Sequence, residues 1–278
     1  MRIIPAEALI NAVAQAFVDI NYVLPGDVLA ALRRVREAET SPVGRQALDQ
    51  IIANAGIARQ GRFPLCQDTG LPVLFVELGE DARVEGGLRN ALQEAIRQGT
   101  AKGYLRRTVC DPFTRRNTGD NTPAVIHLDL VPGDRLVIDL LAKGGGAENM
   151  SRAVVLTPAA GPDGVVALAV ETVRGGAVNA CPPITVGIGV GGDLEVAAIL
   201  AKKALTRPLG QPSADPQLAE LEARALDRIN RLGIGPGGLG GRTTALAVHA
   251  AAAPCHIASL PVAVVLQCHA HRSKRITL

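Results

Sequence analysis

The chain has 278 residues, 47% of them hydrophobic, and a net charge of +3. That length and apolar share allow one large domain with an ample core. The weak charge, with no Trp, two Tyr and four Phe, excludes a phosphate-tracking surface with aromatic platforms for stacked bases, so no nucleic-acid partner is expected. The N-terminus lacks a basic region followed by a sustained apolar stretch, because Glu7 and Asp19 interrupt it. A cytoplasmic location is therefore expected. The five cysteines should then be reduced thiols or metal ligands rather than disulfides.

In chain order, Leu9, Ile10, Val13, Phe17 and Ile20 follow Pro5 at helical spacing. Pro25-Gly26 breaks that helix, and Asp27 is placed to cap a second through Leu29, Leu32 and Val35. Ser41-Pro42 reads as an N-cap with proline at the first helical position, opening a third helix towards Ala58. The character changes around Arg62 to Leu65. Pro72 to Val76 reads as a short buried strand and Val84 to Gly99 as a helix. Alternation over 124–130 and 136–141, separated by Pro132-Gly133-Asp134, predicts a β-hairpin.

Val165 to Val173 fits either helix or strand. Ile184 to Val190 is a glycine-interrupted strand, and Asp193 caps a helix running to Leu205. Gln217 to Leu232 is a charged amphipathic helix. The apolar run Thr244 to Gln267 could span a membrane by length, but Pro254, Pro261, His249 and His256 break it. It is read as a buried helix followed by a strand from Leu260 to Cys268, with no membrane span. The expected fold is α+β: a helical N-terminal layer, about 1–60, on a mixed α/β core with antiparallel strands, all in a single domain 1–278.

No two cysteines form a Cys-x-x-Cys pair, which argues against a zinc knuckle or a ferredoxin-type cluster. Cys66, Cys181 and Cys268 each sit in unusual polar or glycine-rich sequence, whereas a buried small hydrophobe is the ordinary role of an isolated Cys. Glycine-rich loops at 143–149, 187–192 and 235–244 expose backbone N–H groups suited to anions. None matches a P-loop. Gly187-x-Gly189-x-x-Gly192 fits a dinucleotide fingerprint but lacks the acidic residue that should follow; close packing of backbone is the plain alternative. Arg106 could grip a carboxylate bidentately, or be a solvated surface arginine. Asp68, beside Cys66, could move a proton, or simply serve the turn ahead of Gly70.

The strings Pro-Leu-Cys-Gln-Asp-Thr-Gly at 64–70, Gly-Tyr-Leu-Arg at 103–106, Asn-Thr-Gly-Asp-Asn-Thr-Pro at 117–123, Lys-Gly-Gly-Gly-Ala-Glu-Asn at 143–149 and Cys-Pro-Pro-Ile at 181–184 occur in that order. Gly-Leu-Gly-Gly-Arg-Thr-Thr at 238–244 and Gln-Cys-His-Ala at 267–270 follow. Together they resemble the iron–sulfur hydro-lyases, the family of class I fumarases and L-tartrate dehydratases, over nearly the whole chain. The resemblance implies a [4Fe–4S] cluster held by Cys66, Cys181 and Cys268, with one open iron. It implies substrate contacts from Gln67, Asp68, Arg106 and Gly145, with Asp68 the catalytic acid/base.

An open iron polarises the substrate hydroxyl as a leaving group while a base takes the neighbouring carbon-bound proton. The family's single-chain members carry a second domain that 278 residues do not accommodate. The chain therefore resembles the α subunit of a two-chain form, and a separate β subunit is the expected partner in a hetero-oligomer. Fumarate hydration to malate is the expected reaction. Tartrate dehydration to oxaloacetate and hydration of a methyl-substituted dicarboxylate are the alternatives, and a non-catalytic iron–sulfur scaffold subunit or a nucleotide-binding enzyme stands against all three.

Overall fold

The structure is a computed structural model that describes every residue except Arg62. The chain runs through β1 (Arg2–Ile4), α1 (Ala6–Tyr22), α2 (Gly26–Ala38), α3 (Pro42–Arg59), β2 (Leu71–Gly79), β3 (Ala82–Val84), α4 (Leu88–Lys102), β4 (Val125–Val131) and β5 (Leu136–Lys143). It continues through α5 (Gly145–Glu148), β6 (Arg152–Leu156), α6 (Gly161–Gly176), β7 (Ile184–Gly192), α7 (Leu194–Ala204), α8 (Pro216–Asn230), β8 (Ala245–Cys255), β9 (Leu260–Gln267) and β10 (Arg272–Thr277). The α+β class and the helical N-terminal layer are both present. Two compact units interleave along the sequence. One takes Met1–Pro25, Ala55–Gly145 and Arg272–Leu278; the other takes Gly26–Asn54 and Gly146–His271.

In the first unit a four-stranded sheet has the order β10-β5-β2-β4. Leu9, Val13, Phe17 and Ile20 of α1 and Leu92, Ala95 and Ile96 of α4 bury one face of it against Leu74, Val76, Ile138 and Leu140. Each such Leu, Ile or Phe contributes about 1.5–3 kcal/mol by leaving water. The expected hairpin at 124–141 does not form. β4 pairs parallel with β2 and β5 pairs antiparallel with β2, so β2 lies between them. The turn at Pro132–Asp134 is real, but it wraps the end of β2. Gly79 donates its N–H to the Arg135 carbonyl, and a Cβ on Gly79 would stand 2.3 Å from the Gly133 oxygen.

In the second unit the sheet order is β6-β9-β7-β8. Residues of α6 and α8 pack one face through Val166, Val173, Leu221 and Ile229 against Ile184, Val186, Ile188 and Val264. On the other face α7 approaches so closely that Cβ atoms on Gly187 and Gly189 would fall 2.0 and 1.9 Å from the Ala201 and Ala197 carbonyl oxygens. The dinucleotide-like glycines therefore lie inside β7 as close-packing positions. Asp193 caps α7 by accepting the Val196 N–H at 2.8 Å, as its sequence position suggests.

Two expectations fail here. The run after Thr244 is strand β8, not helix, because it pairs parallel with β7 along its length. Asp27 lies inside the first turn of α2 rather than at its cap, and its carboxylate accepts the Leu209 N–H at 2.7 Å. The ambiguous stretch 165–173 is the middle of α6. Among the described residues, one stretch has the length and hydropathy of a membrane span, Ala6–Ala38, which takes in both α1 and α2 and has 44% of its apolar window buried.

Candidate functional site

The 66–70 loop is organised by its own polar atoms. The Asp68 N–H points at Cys66 Sγ at 3.4 Å. Asp68 Oδ1 accepts the Gly70 N–H at 2.9 Å, and Oδ2 accepts the Gly145 N–H at 2.8 Å. The turn role and the link to the second glycine loop thus coexist in one carboxylate, and each oxygen keeps a second lone pair for other work. Gly70, at φ +82°, lies so close to Lys143 that a Cβ would meet its backbone at 2.9 Å. Only glycine permits this apposition of the 66–70 and 143–145 segments.

Arg106 is exposed and donates from Nη1 to Gln67 Oε1 at 2.7 Å. That leaves the Gln67 amide nitrogen directed as a donor, beside a guanidinium that has committed one of its five N–H groups. The Arg106 backbone is held from behind by Asn121, fully buried at φ +61°. Asn121 Nδ2 donates to the Arg106 carbonyl at 3.0 Å, and its Oδ1 accepts the Thr108 N–H at 2.6 Å. Within the Asn-Thr-Gly-Asp-Asn-Thr-Pro string, Asn121 therefore positions the Arg106 backbone.

In the second unit Cys181 is exposed and adopts a left-handed backbone at φ +58°, a conformation that costs about 1 kcal/mol or more for a residue with a Cβ. Its carbonyl accepts both the N–H of His269, at 3.2 Å, and His269 Nδ1, at 3.0 Å. A carbonyl only accepts, so Nδ1 carries the ring proton. These two bonds fasten the 181 turn to the residue after Cys268, whose Sγ lies 3.7 Å from the Ala270 oxygen. Around Cys268, Gln267, His271 and Arg272 are buried. Cys255, at the end of β8, is exposed, with Sγ 3.3 Å from the Ser259 oxygen.

Among the described residues, no three His, Cys, Asp or Glu side chains gather as they would on a single metal ion. A cluster spreads its thiolates over several irons, so that geometry is not required of it. The third glycine segment, at 235–244, is anchored by buried Glu39, whose carboxylate accepts N–H groups of Thr40, Ser41 and Arg242. Burial pushes the Glu39 pKa up, but these bonds outweigh it and hold the group below the usual carboxylate range.

A family model described as Fumarate hydratase (Fumerase) matches residues 10–277. The chain belongs to this family. A protein of Methanocaldococcus jannaschii carrying the name "Putative L(+)-tartrate dehydratase subunit alpha" is 39% identical, over 96% of this chain and 97% of its own length. The "L(+)-tartrate dehydratase subunit alpha" of Escherichia coli strain K12 and that of Shigella sonnei are each 37% identical, over 95% of this chain and 88% of their own. The chain is accordingly a hydro-lyase of the fumarase family, and these relatives are named as alpha subunits. Sequence reasoning missed Asn121 and His269 as positioning groups.

Proposed function

We propose that this chain is the α subunit of a [4Fe–4S]-dependent hydro-lyase that hydrates fumarate reversibly to malate, working with a β subunit in the cytoplasm. Cys66, Cys181 and Cys268 are the ligands in this reading. Their chemistry fits: Cys66 Sγ already receives a backbone N–H, the bond that stabilises a metal-bound thiolate, and Cys181 presents its exposed sulfur from a fixed turn. When bound, the cluster supplies a Lewis-acidic iron for the substrate hydroxyl.

This chain's residues do the rest. Arg106 and the Gln67 amide donate to a substrate carboxylate, and the Gly145 segment approaches without a side chain. Asp68, fixed at both oxygens by Gly70 and Gly145, holds or takes the proton. The observation that carries the reading is this last arrangement: a carboxylate two residues from a thiol, tied to the glycine loop and directly following the Arg106 partner Gln67. A second reading is tartrate dehydration to oxaloacetate, favoured by the names of the relatives.

Anaerobic co-expression with a β subunit, followed by a panel of fumarate, malate, L-tartrate and methyl-substituted dicarboxylates, tests the proposal. Turnover of fumarate above tartrate supports the first reading and the reverse supports the second. Absence of turnover from a cluster-loaded complex with all of them would leave the non-catalytic scaffold role.

A further inference from the structure

Arg272 opens β10 and is 1% exposed. A buried guanidinium is normally matched by a carboxylate, because an isolated charge in the interior costs several kcal/mol. Here no Asp or Glu lies within ion-pair distance, and Nε meets no acceptor among the described residues. Its bonds run to neutral oxygens. Nη1 donates to the carbonyl oxygens of Asp68 and of Thr69, the latter at 3.1 Å, and to Asn21 Oδ1 at 3.2 Å. Asn21 is itself fully buried in α1 and is oriented by its Nδ2 bond to the Phe17 carbonyl, at 2.9 Å. On the far side, Arg272 Nη2 and Asp68 Oδ2 each lie 3.3 Å from where a Cβ of Gly144 would stand. The guanidinium and the carboxylate thus flank the Gly144 backbone without pairing.

We propose that Arg272 is a positioning residue for the Cys66–Asp68 loop, and that its buried charge, which makes no direct ion pair among the described residues, favours the anion this loop holds. This rests on the reading of Cys66 as a cluster ligand and Asp68 as the proton carrier. The carbonyl fork fixes the peptide that follows Asp68, and so fixes the direction of the Asp68 carboxylate and of the N–H given to Cys66. The charge favours an anionic neighbour. That neighbour is the thiolate-bound cluster, the substrate carboxylate, or both, and two readouts separate them: the cluster's midpoint potential responds to the first and KM to the second.

The test uses the anaerobic complex with the β subunit and the variants Arg272→Gln, Arg272→Lys and Cys66→Ser. Arg272→Gln removes the charge. A folded Gln variant should show a more negative midpoint potential, iron and sulfide content reduced several-fold after gel filtration, and a KM raised about tenfold. Arg272→Lys keeps the charge and loses the fork. It should restore the potential towards wild type while kcat stays depressed.

A Gln variant with wild-type melting, iron content, potential and KM overturns the proposal. Where the Gln variant fails to fold, the Lys variant decides: iron retention and kcat equal to wild type would refute the positioning role. A full cluster in Cys66→Ser overturns the ligand assignment instead, and Arg272 is then judged on KM and kcat.

Discussion

His249 makes the stability of this chain depend on pH in a way that can be isolated. It lies on β8 at 2% exposure, with Nδ1 3.2 Å from the Ala204 carbonyl oxygen. Burial, then the positive charge of Arg207 and the neighbouring His271, lowers its pKa from 6.5 to about 4, against smaller raising effects of the Ala204 bond and Asp27. The unfolded chain therefore binds this proton at a higher pH than the native one. Between about pH 6.5 and pH 4 the unfolded state carries more protons, so stability falls as the pH drops through that window and the loss is complete below about pH 4. The gap corresponds to about 3 kcal/mol, a sizeable share of a typical domain's net stability.

His249→Asn keeps a donor near the Ala204 carbonyl and removes the titration. At pH 7 the variant should be less stable than wild type by roughly 1–2 kcal/mol, for lost ring packing. The difference between the two should shift by about 3 kcal/mol in the variant's favour as the pH is lowered towards 4. Urea unfolding of the reduced α chain across that range measures it. Parallel curves for the two proteins would show that His249 titrates normally in the native state and would refute the burial argument.

Three further outcomes are expected. Cys255→Ala should keep iron and most activity while Cys268→Ala loses both, since β9 separates the two thiols by roughly 20 Å or more; the opposite pattern in an anaerobic iron assay would move the ligand to Cys255. Arg106→Lys should raise KM for the dicarboxylate about tenfold, equivalent to about 1.4 kcal/mol, through loss of the bidentate fork; unchanged kinetics would make Arg106 a solvated surface residue. Gly189→Ala should lower the melting temperature through an overpacking cost of about 1–3 kcal/mol or more, because its Cβ would fall 1.9 Å from the Ala197 oxygen on α7; an unshifted melt would contradict the contact between β7 and α7.

The sequence by itself determined what local chemistry can encode. The apolar stripe of α1, the Ser41-Pro42 start of α3 and the Asp193 cap of α7 are written within a turn or two of the residues they organise, and each stands in the structure. The family was legible too, because its strings at 64–70, 143–149 and 181–184 are short, contiguous runs. Only the tertiary structure decided the pairing. Alternation at 124–141 describes two strands correctly but is blind to β2, which arrives from fifty residues earlier in the chain and takes the place between them. The alanine-rich run after Thr244 has no local reason to extend; β7 supplies it, with glycines that let α7 and the β8 backbone come close. Arg272 reads as a polar residue at the end of a strand. Its burial against the Asp68 and Thr69 carbonyls depends on β10 pairing with β5, more than a hundred residues away. Hydrogen bonds and charges act through space, and a fork of this kind leaves no periodic trace in the sequence that builds it.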